Sequence, residues 1–419
     1  MFRFSAFILV LFLANVTLSQ ETNPDFSKLT IDPEIFDNYQ IIGLGEESHG
    51  IKSINQGRNW VAGEILKHFS VKFVVLEESM PRVYAINREI NKAHPDYLKA
   101  LKAVSRFWQT QETKELFELI HNHNIQDPEH PLILLGMDLG SHYALYQEIK
   151  RFFTVMENNA EDLEKYSRYE KDFKAYKKLN KPTKRKIMYI IQHLTDDLAN
   201  HGEEYRQKYS DIEIEMMHLL LKNATYRLEP NPKIREVIMF NNVMDIYKSG
   251  HNNEKVILYA HNEHISKKSY ETTMGEMLGN QQDINYYALG FEFGEGDYLA
   301  YDSNASTARI LLVGVFAPRK VQYLSHLQSN HLDFYEGAKT LKYLHEHGEK
   351  VQFYHLSSLS PSSELYQLLH TSQPYHNIGV RAAMVDRALT PKIWSERYEG
   401  IFYIDVVEAS EVLTRKGGE

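Results

Sequence analysis

Four short apolar runs, each breaking off into polar or titratable residues, set the strongest limit on how this chain can fold. Gln40 to Leu44 leads to Glu46 and His49, and Val71 to Leu76 leads to Glu77 and Glu78. Leu132 to Leu135 leads to Gly136-Met137-Asp138, and Val256 to Ala260 leads to His261-Asn262-Glu263-His264. Short runs of this kind, separated by stretches of helical periodicity, read as parallel strands buried on both faces. Open sheets of that kind gather their chemistry where the carboxyl ends of the strands leave the sheet. The expected fold is therefore α/β, with a mostly parallel central sheet flanked by helices. Glu46, His49, Glu77, His261 and His264 should share one edge of it. The glycines Gly43 and Gly45 are expected to take positive φ where the first strand turns.

Helices fit between the runs. From Ile51 the positions Ile54, Val61, Ile65 and Phe69 follow helical spacing, and Arg58 lies on the same stripe. A cation on an apolar face needs a partner. Thr110 to Asn124 repeats the pattern through Leu116, Leu119 and Ile120. Between about Tyr143 and Leu228 the strand-like runs vanish and Lys, Glu and Tyr become frequent. There Lys181-Pro182-Thr183 marks a helix break, and Ser210-Asp211-Ile212-Glu213 forms a capping box ahead of Met216 to Leu221. Residues 143–231 thus read as an all-helical insertion, a cap over the sheet edge, between core segments 20–142 and 232–419. After Ala288 strands return at Leu289 to Phe293, Ile310 to Phe316 and Ile401 to Val406, and Arg415 to Glu419 reads as a frayed tail.

The first residues read as a leader rather than as part of the fold. A short positive start at Arg3, an unbroken apolar stretch from Ala6 to Ala14 and small residues before Gln20 describe a secretory signal peptide over residues 1–19. The stretch is too short to span a bilayer, and no later one reaches that length. The protein is expected to be exported, periplasmic or secreted. Without the leader, 46 Lys and Arg stand against 56 Asp and Glu, a balance that disfavours nucleic acid and anionic membrane surfaces as partners. The absence of cysteine excludes disulfides, thiol nucleophiles, thiolate metal sites and lipidation at a signal-peptide cysteine.

The residues also limit the chemistry. Ser48 lies between Glu47 and His49, outside the Gly-x-Ser-x-Gly elbow of an α/β-hydrolase nucleophile. Gly43-x-Gly45 runs into Glu46-Glu47, which would repel phosphate. What remains is Glu46, His49, Glu77, His261 and His264, with Arg58 near by. A carboxylate beside a histidine fixes its tautomer and makes it a better base. The same i, i+3 pairs, Glu46 with His49 and His261 with His264, also suit a divalent metal, and an isolated pair at a helix start suits a cap. Asp138 and Asp405, each following a strand, read equally as helix caps. Spacing alone leaves these readings open.

Gly45-Glu46-Glu47-Ser48-His49-Gly50 resembles the Gly-Glu-Ala-Thr-His-Gly hallmark of the erythromycin esterase family. Arg58 matches that family's basic residue nine positions past the motif histidine, and Val74 to Glu77 its strand ending in Glu. Trp108 to Glu112, Gly136-Met137-Asp138, Ala260 to His264, Gly290 to Gly296 and Ile401 to Val406 follow in the family's order. Arg235-Glu236, Met239 and Asn242 resemble a further family helix. The resemblance implies hydrolysis of a carboxylic ester or macrolide lactone by water activated at His49, without a serine acyl-enzyme or a cofactor. Glu46 and Glu77 would orient the base or the water, and Arg58, His261 and His264 would position substrate or stabilise charge. Glu295, Asp138 and Trp108 would contact the substrate. The implied fold is an α/β core with a helical insertion. Two departures, Glu47 for Ala and Ser48 for Thr, place an extra carboxylate where it could alter the histidine's pKa or favour a cation. A metal-dependent hydrolase using Glu46, His49, Glu77, His261 and His264, and a non-catalytic binding protein of the envelope, remain as alternatives.

Overall fold

The computed structural model describes residues 24–139, 142–154, 169–170, 173, 181–228, 235–250, 254–301, 327–379 and 389–414. The expected leader at 1–19, the expected strand Ile310 to Phe316 and the expected frayed tail from Arg415 lie outside these residues. The first apolar run forms β1 (Ile41–Leu44), all four residues of it buried. It is followed by α1 (Lys52–His68), β2 (Val71–Ser79), α2 (Met80–Ile90), α3 (Tyr97–Ala103), α4 (Gln111–Gln126) and β3 (Ile133–Asp138). Thr110 caps α4 by accepting from the backbone N–H of Thr113, as its position ahead of the apolar repeat requires. Next come α5 (His142–Phe153), α6 (Lys181–Asn200), α7 (Gly202–Arg206), α8 (Asp211–Arg227) and α9 (Arg235–Ser249), with no strand among the described residues of this stretch. Both halves of the capping box, Ser210 and Glu213, are made at the start of α8.

The chain then forms β4 (Lys255–Tyr259), the short turns α10 (Asn262–Ile265) and α11 (Met274–Gly279), and the long β5 (Tyr286–Tyr301). After β5 come β6 (Leu327–Leu332), β7 (Val351–His355), β8 (Gln373–His376), β9 (Leu389–Lys392) and β10 (Gly400–Val407). The main sheet runs β3-β2-β4-β1-β5-β10-β7, with β6 paired to the far half of β5. From β3 to β10 every neighbour is parallel. Only β7 and β6 run antiparallel, and β8 with β9 makes a separate two-stranded ribbon.

This order positions the site. The chain leaves β1 for β2, skipping the place that β4 later fills, so β2, β4 and β1 stand side by side in register at Leu76, Tyr259 and Leu44. Just past this level Glu46 and His261 follow on the loops that leave β1 and β4, and Glu77 stands on the last residues of β2, all at one edge. Successive side chains alternate between two apolar layers. Phe73, Val75, Val256 and Leu258 face the layer of α5, α6, α8 and α9, whereas Val74, Leu76, Ile257 and Tyr259 face that of α1 and α4. Helices on both faces are why the strand runs read as continuously apolar. Helices α5, α6, α8 and α9 share one cluster with the sheet through Phe152, Ile190, Met217 and Val243, and Phe152 stacks between Tyr205 at 5.4 Å and Tyr209 at 4.1 Å.

The glycines at the end of β1 are needed for a different reason from the one expected. The positive φ belongs to Gly50, at 70°, and not to Gly43 or Gly45. At Gly45 a Cβ would collide with the side-chain oxygen of Asn262. Glycine here permits close approach of the β1 and β4 exits, whose backbones join where Asn262 N–H donates to the Glu46 carbonyl at 2.8 Å. Gly45→Ala should therefore lower stability by about 1–3 kcal/mol, read as a lower urea midpoint. An unchanged midpoint would contradict the close approach.

Candidate active site

The Glu46 carboxylate is 2 % exposed and uses both oxygens. One lies 2.7 Å from His49 Nδ1, the other 2.8 Å from Arg58 Nη1. Arg58 is the cation on the apolar stripe of α1, and this carboxylate is the partner it needs. Its Nη1 also donates to Asn55 Oδ1 at 3.0 Å, and its guanidinium lies 4.6 Å from the Tyr259 ring and 5.6 Å from that of Trp108. Burial would raise the Glu46 pKa, but Arg58 and His49 more than offset it and hold the carboxyl below its ordinary value. For His49, burial acts downward, while the contact with Glu46 and the charge of Glu77 outweigh it and raise the imidazole. Nδ1 is committed to Glu46. Nε2 has no hydrogen-bond partner among the described residues. The ring is 13 % exposed and packs 5.0 Å from Phe107, which meets Tyr301 edge-on at 5.1 Å.

A second charged cluster forms around Glu77 at the end of β2. Its Oε1 lies 2.8 Å from Arg235 Nη2 and 3.1 Å from His264 Nε2, while Oε2 accepts from the backbone N–H of His261 at 2.9 Å. Arg235 reaches from the start of α9 to Asp138 at the end of β3, with Nε at 3.1 Å and Nη2 at 2.7 Å. His264 Nδ1 lies 2.7 Å from Glu236. Despite the burial that opposes it, the carboxylates on both ring nitrogens push the His264 pKa up to about 10, and so hold it as an imidazolium. The same contacts, again against burial, hold Glu77 well below the usual carboxylate range.

His261 is neutral by contrast. Burial and the nearby His49 and His264 lower its pKa to about 4. Its Nε2–H faces the backbone carbonyls of Glu47 at 2.9 Å and Ile378 at 2.8 Å, and Nδ1 accepts from the Glu263 N–H at 3.2 Å. Both nitrogens are thus engaged by backbone, and the ring ties the β1 exit to the β4 exit.

Glu47 turns the other way, away from His49. Its fully buried carboxyl accepts from Asn262 Nδ2 at 2.6 Å and lies 3.6 Å from Lys392 Nζ on β9. Lys392 is nearer to Glu263, at 2.9 Å, and Glu263 also pairs with Arg397 at 2.7 Å. Burial, with the further acids Glu292 and Glu263, pushes the Glu47 pKa well above the ordinary carboxyl range despite the attraction of Lys392. Ser48 is buried completely.

The structure therefore brings together Glu46, His49, Arg58, Glu77, Asp138, His261 and His264. Trp108 is buried against Arg58, and Glu295 accepts from the Phe334 N–H at 3.3 Å with no bond to this cluster. Arg235 and Glu236, which stood out in the sequence only as the head of a family-like helix, belong to the centre. Among the described residues no three His, Asp or Glu side chains converge to hold a metal ion. The donor set does not fit one: Glu77, Asp138 and Glu236 are engaged by Arg235 and His264, and Glu46 by Arg58 and His49.

Fold and site together define an α/β protein with a histidine–carboxylate centre at the carboxyl edge of its sheet. Residues 67–407 match the family described as erythromycin esterase, and the chain belongs to that family. The match contains Glu77, Asp138, Arg235, His261 and His264 but begins after Glu46, His49 and Arg58. Three solved structures share the fold. A succinoglycan biosynthesis protein is 17% identical, TM-score 0.69, with 94% of each chain covered. A Bacillus cereus protein is also 17% identical, TM-score 0.69, covering 92% of this chain and 94% of its own. A mutant of the erythromycin esterase EreC in its open conformation is 12% identical, TM-score 0.62, covering 94% and 98%. No curated protein matches the chain.

The Glu47 side of the centre is testable by stability alone. Lys392→Met removes the buried ammonium that Glu47, Glu263 and the His376 carbonyl share, and, with Glu263 still on Arg397, should cost about 1–3 kcal/mol in urea unfolding at neutral pH. Glu47→Gln removes a carboxyl that burial and two further acids push toward its neutral form, keeps an acceptor for Asn262 Nδ2, and should cost less than about 1 kcal/mol. Equal, large losses in both variants would show that Glu47 is ionised.

Proposed function

We propose that the protein hydrolyses a carboxylic ester or lactone with water activated by His49. The observation that carries this reading is the His49 ring itself. Its Nδ1 is fixed on Glu46, whose other oxygen is fixed on Arg58, and this leaves Nε2 as the free lone pair. In a neutral imidazole, Nδ1–H donation to a carboxylate makes Nε2 the proton acceptor. Membership of the erythromycin esterase family supports the same class of reaction.

Glu46 orients the base and stabilises the imidazolium formed when it takes a proton. Arg58 and Trp108 act through Glu46, since both are buried behind it. His261 joins the two loops. Glu77 and His264 set the field across from His49, and Phe107 with Tyr301 offers an apolar wall beside the reacting position. A metal-dependent route finds less support, because each carboxylate of the centre already has a cationic partner. No helix among the described residues is long and apolar enough to cross a membrane. The leader over residues 1–19 supports export, with a small-molecule ester met outside the cytoplasm.

Two outcomes follow for purified protein assayed on macrolides and simple aryl and alkyl esters. His49→Ala should lower kcat/KM by about 10²–10⁴-fold, and unchanged turnover would overturn the reading. His49 must be neutral to accept a proton and its pKa is raised, so kcat should fall as pH drops through a value above 6.5. The alkaline side should hold until His264 loses its charge near about 10. A rate that stays level down to pH below 6 would contradict His49 as base.

A further inference from the structure

We propose that Arg235 is a catalytic residue, donating through Nη1 to the substrate carbonyl oxygen as it becomes an oxyanion. This rests on the reading of His49 as the base. The resemblance assigned charge stabilisation to Arg58 and the histidines, and the geometry leaves none of them free for it. Arg58 is 0 % exposed, held by Glu46 and covered by Tyr259 and Trp108. His261 has both ring nitrogens on backbone groups. His264 has a carboxylate on each nitrogen, at 2.7 Å and 3.1 Å. The Arg235 side chain, in contrast, is 32 % exposed.

Its donors are unequally used. Nε and Nη2 are spent on Asp138 and Glu77. Nη1 faces only His264 Nε2, at 3.0 Å. With Glu236 on Nδ1 and Glu77 on Nε2, His264 is a donor at both nitrogens and cannot accept from Arg235. Two cationic groups therefore meet with an unsatisfied N–H fork between them and no acceptor for it among the described residues. An oxygen gaining negative charge there would satisfy that fork and separate the two cations. The clamp by Asp138 and Glu77 fixes the guanidinium beforehand, so little reorganisation is needed when charge develops.

The step balances on these groups. His49 Nε2 takes a proton from water as the water oxygen bonds to the carbonyl carbon. The carbonyl π pair moves to its oxygen, facing Arg235 Nη1. Collapse breaks the C–O bond to the alkoxy group, which takes the proton back from His49. A carboxylic acid and an alcohol remain, or a single hydroxy acid from a lactone.

The test uses 4-nitrophenyl butyrate as ester and mono-4-nitrophenyl propylphosphonate as its tetrahedral mimic. Arg235→Gln should lower kcat by about 10²–10³-fold with KM little changed, and added guanidinium should restore part of the loss. Arg235→Lys keeps the charge beside Asp138 but not the fork, so it should fold like the parent and recover only part of kcat. By calorimetry the phosphonate should bind Arg235→Gln at least about tenfold more weakly, while His49→Ala still binds it. Loss confined to KM, or undiminished phosphonate binding by Arg235→Gln, overturns the proposal. If His49→Ala kept full turnover, the base assignment would fail, and phosphonate affinity would still judge Arg235.

Discussion

One buried carboxylate, Glu46, holds the centre together. It lies between a guanidinium and an imidazole, paired with the first and hydrogen-bonded to the second. A carboxylate this buried stays charged because Arg58 stands 2.8 Å away and His49 2.7 Å away. Arg58 itself is tolerated inside the α1 layer because Glu46, Asn55 and two aromatic faces surround it. His49 inherits the result: a ring with one nitrogen fixed, one open, and a pKa set by two competing forces. Burial pulls that pKa down, and the ion pair pulls it further up.

The sheet makes this arrangement possible. Because β4 inserts between β2 and β1, loops distant in sequence leave the fold as neighbours. The Glu46–His49 turn meets the His261–His264 turn where Asn262 N–H donates to the Glu46 carbonyl and the His261 ring to that of Glu47, and Glu77 reaches the same place from β2. Opposite signs pair across the edge, Arg58 with Glu46 and His264 with Glu77 and Glu236, and the His49 imidazole feels both Glu46 and Glu77. The centre is held on three strand ends rather than on one loop, and side chains supported by such rigid elements keep their geometry.

Much of this was legible in the sequence. Strands β1, β2, β3 and β4 announced themselves because burial on both faces demands continuous apolar runs. Arg58 announced itself as a cation without a local partner. Strands β6 to β9 did not. Leu327 to Leu332 carries Gln, Ser, Asn and His at a half-exposed edge, and β8 and β9 hold Pro374 and Pro391, which edge strands tolerate. Arg235 was illegible as a site residue because its meaning lies in Asp138, 97 residues away. Trp108 and Glu295 show the converse limit. A family pattern gives the order of residues along a chain but not the direction in which a side chain points. Glu47 is the same lesson within one motif: adjacent to Glu46, it faces Lys392 instead of His49.

The central claim is the tautomer of His49, and isotope-edited NMR of the histidine ring nitrogens measures it most directly. Spectra recorded above the pH at which His49 titrates, and below that at which His264 loses its charge, should show His49 with a strongly deshielded Nδ1–H and an unprotonated Nε2. Glu46→Gln should shift that Nδ1–H resonance. A His49 protonated at Nε2 and bare at Nδ1 would leave no base facing the substrate and would contradict the account.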